Sequence, residues 1–145
     1  MIEAAVSASP RILILDDDPV NRALIRAILT RADESALRGA SLPEAGTLAD
    51  ARAILDAEAI DLVLLDVHLP DGLGFDLAAG MDRARPDRPA ILALTASVLP
   101  ADQQAALDAG CDGFLAKPFP ARALITTSVR LLTDRRRAIE NGGAA

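Results

Sequence analysis

The chain has 145 residues, 51% of them hydrophobic, enough for one compact domain with a full core. Its formal net charge of −6 argues against direct binding to nucleic acid, which needs a basic footprint. The lone cysteine, Cys111, excludes an internal disulfide, and no window approaches the roughly 18 unbroken apolar residues of a membrane-spanning helix.

The opening MIEAAVSASP has neither the basic start nor the apolar stretch of a signal peptide, so residues 1–10 read as a short flexible leader of a cytoplasmic protein. Ile12 to Leu15 is a continuous apolar run ending in acids, as expected of a strand buried on both faces of a parallel sheet. A helix should follow, with Asp18 as its N-cap, Pro19 at its first position, and Val20, Leu24, Ile25, Ile28 and Leu29 on one face. Asp33 to Gly39 is a long link, placed at the N-terminal edge of the sheet. Ser41 to Ala45 is a weaker strand, and Pro43 sends it to the sheet edge.

A second helix runs from about Leu48 to Ala57. Leu62 to Leu65 repeats the buried-strand pattern and ends at Asp66. The turn glycines Gly72 and Gly74 lie in the following loop, ahead of a third helix from about Phe75 to Arg83. Ala90 to Leu94 ends at Thr95, and a fourth helix from about Ala101 to Ala109 stops at Gly110. Cys111 is read as a small, semi-buried filler. Gly113 to Ala116 ends at Lys117, and a fifth helix runs from about Ala121 to Thr133. Its face of Leu124, Ile125, Val129, Leu131 and Leu132 should pack mostly on the sheet. Arg135, Arg136 and Arg137 read as a solvated helix end, and residues 135–145 as helix end and flexible tail. The domain proper is residues 11–134. Strict alternation of strand and helix implies an α/β fold with a doubly wound parallel sheet and right-handed crossovers.

In such sheets ligands bind beyond the carboxyl ends of the strands. Four strand ends here deliver Asp16-Asp17-Asp18, Asp66, Thr95 and Lys117 to one edge. Asp18, before Pro19, is assigned to capping. The remaining carboxylates repel one another, and a shared divalent cation relieves that repulsion. Magnesium prefers hard oxygen ligands and retains waters, leaving room for a phosphoryl oxygen. A carboxylate can also attack phosphorus and form an aspartyl phosphate, with an ammonium and a hydroxyl to receive the phosphoryl oxygens.

The strings ILILDDDPVNR, DLVLLDVHLPDGLGFDL, ILALTAS and AGCDGFLAKPF resemble the receiver domains of bacterial two-component response regulators, the CheY-like family, over roughly Arg11 to Leu132. The resemblance implies a flavodoxin-like sheet of five parallel strands, order 2-1-3-4-5, flanked by five helices. It implies that Asp66 is the phosphoacceptor and that Mg²⁺ is held by Asp16, Asp17, Asp66 and the backbone carbonyl of His68. Within that set Asp17 is the direct ligand of the acidic pair, and Asp16 acts largely through water. Thr95 looks like the switch hydroxyl, Lys117 the phosphate contact, and Phe114 the switch aromatic, here without a hydroxyl. The Lys117–Pro118 bond looks like the family's cis peptide. The side chains of His68 and Ser97 occupy positions that tune phosphoryl lifetime, and Ala96 keeps access to the phosphoryl group open.

The implied partners are a histidine kinase or histidine phosphotransfer protein and a downstream protein target. The protein is expected to be a monomer that could dimerise on phosphorylation, and a signalling phosphoacceptor rather than a dedicated enzyme. Two other classes compete. A haloacid-dehalogenase-type hydrolase also uses a nucleophilic aspartate with magnesium, but it wants an acid two residues later, where His68 stands. An inert pseudo-receiver would not need every chemical group at the site.

Overall fold

The apolar runs of the sequence become the strands of one parallel sheet in a computed structural model that describes residues 9–82, 84–96 and 99–142. The elements are β1 (Ile12–Leu15), α1 (Pro19–Arg31), a 3₁₀ turn (Ser35–Leu37), β2 (Glu44–Ala45), α2 (Leu48–Ala57), β3 (Leu62–Asp66), a small hairpin β4 (His68–Leu69) and β5 (Gly72–Leu73), α3 (Gly74–Ala79), β6 (Ala90–Thr95), α4 (Pro100–Ala109), β7 (Gly113–Ala116) and α5 (Ala121–Gly142). The five-stranded sheet has the order β2-β1-β3-β6-β7, which is the order 2-1-3-4-5 of the five expected strands.

The unbroken hydrophobicity of β1, β3 and β6 follows from two cores. Leu13, Leu15, Val63, Leu65, Ile91 and Ala93 face α2, α3 and α4, where Leu48, Ala51, Leu77, Ala78, Ala106 and Cys111 cover them. Ile12, Ile14, Leu62, Leu64, Leu92 and Leu94 face α1 and α5, covered by Ile25, Leu29, Leu124 and Leu131. Alternate residues of each strand therefore need an apolar side chain on both faces. Cys111 is fully part of the first core, as a small filler would be.

The second strand is an edge strand, and Pro43 explains its brevity. Ser41 donates to the Pro10 carbonyl and accepts from the Ile12 amide, while the Pro43 carbonyl accepts from Ile14. Pro43 has no N–H to return to β1, so regular pairing shrinks to Glu44–Ala45 with an isolated Arg11–Ser41 bridge. The Asp33 to Gly39 link closes beside the start of β1. Its 3₁₀ turn buries Leu37, and an added Cβ on Gly39 would fall 2.7 Å from Ser9 Oγ.

Several helical expectations need correction. Asp18 does cap α1 by accepting from the Val20 amide, and Ile25 and Leu29 are buried with Ile28 beside them. Val20 and Leu24, however, are 72% and 56% exposed. At about 100° per residue Val20 falls opposite Leu29 and Leu24 well round the helix from it, so both turn to solvent. Helix α3 ends at Ala79, earlier than expected, because Gly80 caps it; Arg83 lies outside the described residues. Helix α4 ends where expected, on Gly110 in the left-handed conformation.

Helix α5 runs well past Thr133, to Gly142. Leu124 and Leu131 are buried, while Ile125, Val129 and Leu132 are partly so, leaving the expected face largely on the sheet. Arg135 is not part of a solvated end. Its guanidinium pairs with Asp61 at 2.8 Å and donates to the carbonyls of Arg88 and Asp87 at 2.8 and 2.6 Å. The helix continuing past Thr133 carries this side chain back over the N-terminal edge of the sheet, where Asp61 precedes β3. No described helix is long and apolar enough to cross a membrane.

Candidate metal centre

The parallel register sets which residues meet at the carboxyl edge. Leu15 lies beside Leu65 and Asp66 beside Leu94, so β1 hands over to Asp16 next to Asp66. Thr95 ends β6 opposite Ala116 on β7, and the Lys117 amide donates to the Thr95 carbonyl at 2.6 Å. The carboxylate oxygens of Asp16, Asp17 and Asp66 lie within 4.8 Å of one another. Lys117 Nζ sits 3.4 Å from Asp16 Oδ2 and 3.6 Å from Asp66 Oδ1. The sequence-derived set is thus brought to one place: three carboxylates, one ammonium and the end of the Thr95 strand.

Each member has its own environment. Asp16 is buried, and its Oδ1 accepts from the Asp18 amide at 2.8 Å, leaving Oδ2 to Lys117. Asp17 is exposed at the rim. Asp66 is partly buried and accepts a long 3.4 Å bond from the His68 amide. Burial pushes the Asp66 carboxyl above its ordinary value; Lys117 and the His68 amide oppose this, while Asp16 and Asp17 reinforce it. Lys117 alone therefore does not restore an ordinary carboxylate at Asp66. A divalent cation among the three carboxylates would favour the ionised form.

The donor set fits a hard cation. Three carboxylates at close range, one exposed, offer oxygen ligands and an open side for water, as magnesium requires. The His68 side chain is exposed. Phe114 is partly buried against the first core, opposite Ala93 of β6. The Lys117–Pro118 peptide is cis. Ser97 lies outside the described residues.

Sequence reading assigned no role to Arg22, Glu44 or Asp71, each of which shapes this edge. Arg22 donates to the main-chain carbonyl of Asp16 and pairs with Glu44 at 3.0 Å. Arg26 holds the other Glu44 oxygen at 2.7 Å. Asp71 reaches from the β4–β5 turn to the N-terminus of α2. Arg22 and Arg26 sit four apart on a helix, a spacing that could have suggested a shared partner. Nothing local marked Glu44 as that partner. Gly74 is required by close approach, since an added Cβ would fall 2.2 Å from the Asp66 carbonyl oxygen.

A doubly wound sheet of this order, with an acidic trio and a lysine at its carboxyl edge, defines an α/β domain whose charged groups lie where such sheets bind ligands. The sequence matches the response regulator receiver domain over residues 12–129, and the chain belongs to that family, which serves two-component signal transduction. It is similar to the transcriptional regulatory protein TcrA of Mycobacterium tuberculosis, 38% identical over 112 residues covering 75% of this chain and 40% of that protein. It is likewise similar to the transcriptional regulatory protein GltR of Pseudomonas aeruginosa, 37% identical over 129 residues covering 88% and 51%. The aerobic respiration control sensor protein ArcB of Escherichia coli is 36% identical over 115 residues, covering 78% and 14%. The chain thus spans about half or less of the length of these curated relatives. Among solved structures, a CheY-like receiver domain from Methanospirillum hungatei matches with a TM-score of 0.77 at 26% identity, covering 90% of this chain and 98% of that one. CheY4 of Vibrio cholerae matches with a TM-score of 0.74 at 25% identity, covering 86% and 99%.

Proposed function

We propose that the protein is a phosphorylation-controlled switch in which Asp66 accepts a phosphoryl group from a phosphohistidine, with Mg²⁺ bound at Asp16, Asp17, Asp66 and the His68 carbonyl. The observation that carries this reading is the convergence of the three carboxylates within 4.8 Å, with Lys117 Nζ between Asp16 and Asp66. A carboxylate oxygen of Asp66 attacks phosphorus; a P–O bond forms, the P–N bond to the donor imidazole breaks, and the leaving imidazole takes up a proton. The bound cation would neutralise phosphoryl charge and lower the repulsion between donor and carboxylate. Lys117 stays within reach of the new phosphoryl oxygens, and Asp16 holds its ammonium in place. Thr95 donates its hydroxyl to another phosphoryl oxygen, and that pull, with inward rotation of Phe114, rearranges the α4–β7–α5 face. Water then hydrolyses the acyl phosphate slowly and resets the switch.

The donor would be a histidine kinase or histidine phosphotransfer protein, and the receiver of the signal a downstream protein. Membership of a family found both in regulators and in sensor kinases supports this pairing. We read residues 11–134 as the receiver unit and the compartment as the cytoplasm. Phosphorylation could promote a dimer through the α4–α5 side, and light scattering with and without a phosphoryl mimic tests that.

Incubation with acetyl phosphate tests the central reaction. Intact-mass spectrometry should show one added phosphoryl group only with Mg²⁺ or Mn²⁺ present, and hydroxylamine should remove it. Asp66→Asn should stay unlabelled. Equal labelling of wild type and Asp66→Asn, or a label stable to hydroxylamine, would falsify the assignment.

A further inference from the structure

Resting on the metal reading above, we propose that Asp71 is a positioning residue for the metal centre, tying the segment that presents the His68 carbonyl to the side of the site that presents the acidic pair. Asp71 stands at the turn between β4 and β5. Its Oδ1 accepts from the Leu48 amide at 2.8 Å and its Oδ2 from the Ala49 amide at 3.1 Å. These are first-turn amides of α2, which have no partner within their own helix. They hold the Asp71 carboxyl below its ordinary value, the Leu48 amide foremost.

The helix does not depend on Asp71 for a cap. Thr47 Oγ already accepts from the Asp50 amide at 3.1 Å. Asp71 is moreover exposed, so burial does not account for its placement. What the two bonds add is a fixed position for the hairpin. That hairpin is closed at its base by the Gly74 amide on the Val67 carbonyl, 2.7 Å, and paired as His68 with Leu73 and Leu69 with Gly72. Gly72 rests on Leu48, where an added Cβ would meet Cδ1 at 2.9 Å. With Asp71 bonded to α2, the tip of the hairpin is held as well as its base.

The other end of this strut reaches the acidic pair. Gly46, just ahead of Thr47, lies against the turn that carries Asp16 and Asp17: a Cβ built there falls 3.8 Å from the Asp16 carbonyl oxygen and 4.0 Å from Asp17 Cα. The path from His68 through Asp71, the first turn of α2 and Gly46 to Asp17 is therefore continuous. It spans the two sides of the centre independently of the sheet itself. An outer partner that fixes ligand spacing shows itself in affinity for the cation.

The test is Mn²⁺ titration of the full chain by electron paramagnetic resonance, with thermal unfolding run alongside. Asp71→Ala should weaken Mn²⁺ binding about tenfold, the low end for outer partners of a metal site. Asp71→Asn should restore much of the loss, since its carboxamide oxygen still accepts one amide. Arg135→Met removes an anchor at the opposite, N-terminal edge of the sheet and lies off this strut, so it should lower the unfolding temperature and leave Mn²⁺ affinity unchanged. Wild-type affinity in Asp71→Ala, or an equal loss in Arg135→Met, overturns the inference while leaving the metal site standing. Absence of Mn²⁺ binding by the wild type overturns the metal reading itself.

Discussion

Replacing Arg135 by Met separates a solvated basic run from a structural anchor. Methionine keeps an apolar stem and removes the guanidinium. In the wild type the Arg135 side chain is 16% exposed, and its guanidinium makes three bonds, to Asp61, to the Arg88 carbonyl and to the Asp87 carbonyl. Hydrogen bonds to a charged group contribute roughly 1.5–3 kcal/mol each. They do not sum here, because Asp61 is 31% exposed and regains water when the guanidinium is lost. Asp61 also keeps the Arg11 amide, at 2.8 Å. The net cost is then about 2–3 kcal/mol, or a fall of roughly 6–12 °C in Tm for a domain of this size. Urea unfolding followed by circular dichroism measures the first quantity and a thermal scan the second. Hydrogen exchange should accelerate in the last turns of α5 and around Asp87 and Arg88, where the anchor lands. A loss below about 0.5 kcal/mol, the range of ordinary surface substitutions, would refute the anchor and return Arg135 to solvent.

Three further outcomes follow from the geometry. Ser128 is fully buried on α5, and its Oγ has no hydrogen-bond partner among the described residues, so Ser128→Ala should raise stability by about 1 kcal/mol in urea unfolding; destabilisation would show that the hydroxyl is satisfied. Gly74→Ala should cost about 2–4 kcal/mol and reduce labelling by acetyl phosphate, because the new Cβ would meet main-chain oxygen that cannot swing away; a variant as stable as wild type would show that the hairpin yields easily. Burial raises the Glu44 carboxyl, but hydrogen bonds and charge from Arg26 and Arg22 outweigh it and leave the group below its ordinary value. A depressed carboxyl contributes stability above its unfolded pKa of about 4.3 and loses it as pH falls through the lower folded value. Wild type should therefore exceed Glu44→Gln in stability at pH 7, and the gap should close below about pH 4; a gap independent of pH would reject the ion-pair origin.

Much of this architecture was legible because its determinants are local. Continuous apolar runs that end in polar residues mark buried parallel strands, and Asp18-Pro19, Gly110 and Pro43 punctuate the chain through φ restriction and missing donors. Alternation of strand and helix then implies crossovers of one hand, which send Asp16, Asp17, Asp66, Thr95 and Lys117 to the same edge.

Other features depend on partners far apart in the chain. The periodicity of α1 placed Val20 and Leu24 on the face of Ile25 and Leu29, yet only the last two meet the sheet. These apolar residues span too much of the helix circumference for one contact, since at about 100° per residue Val20 falls opposite Leu29. Arg135 looked like its neighbours Arg136 and Arg137, and was distinguished only because α5 aims it at Asp61, 74 residues earlier. Asp71 carried no role in the sequence, because the amides it accepts from, Leu48 and Ala49, lie 23 and 22 residues earlier. By itself the sequence determined the five strands of the main sheet, the caps at Asp18 and Gly110, and the carboxylates, hydroxyl and ammonium at the carboxyl edge, because backbone propensity and hydrophobic period act within a few residues. Only the tertiary structure decided which charges are braced, which apolar side chains stay in solvent and how burial acts on Asp66, because pairing and desolvation depend on which distant segments the packing brings together.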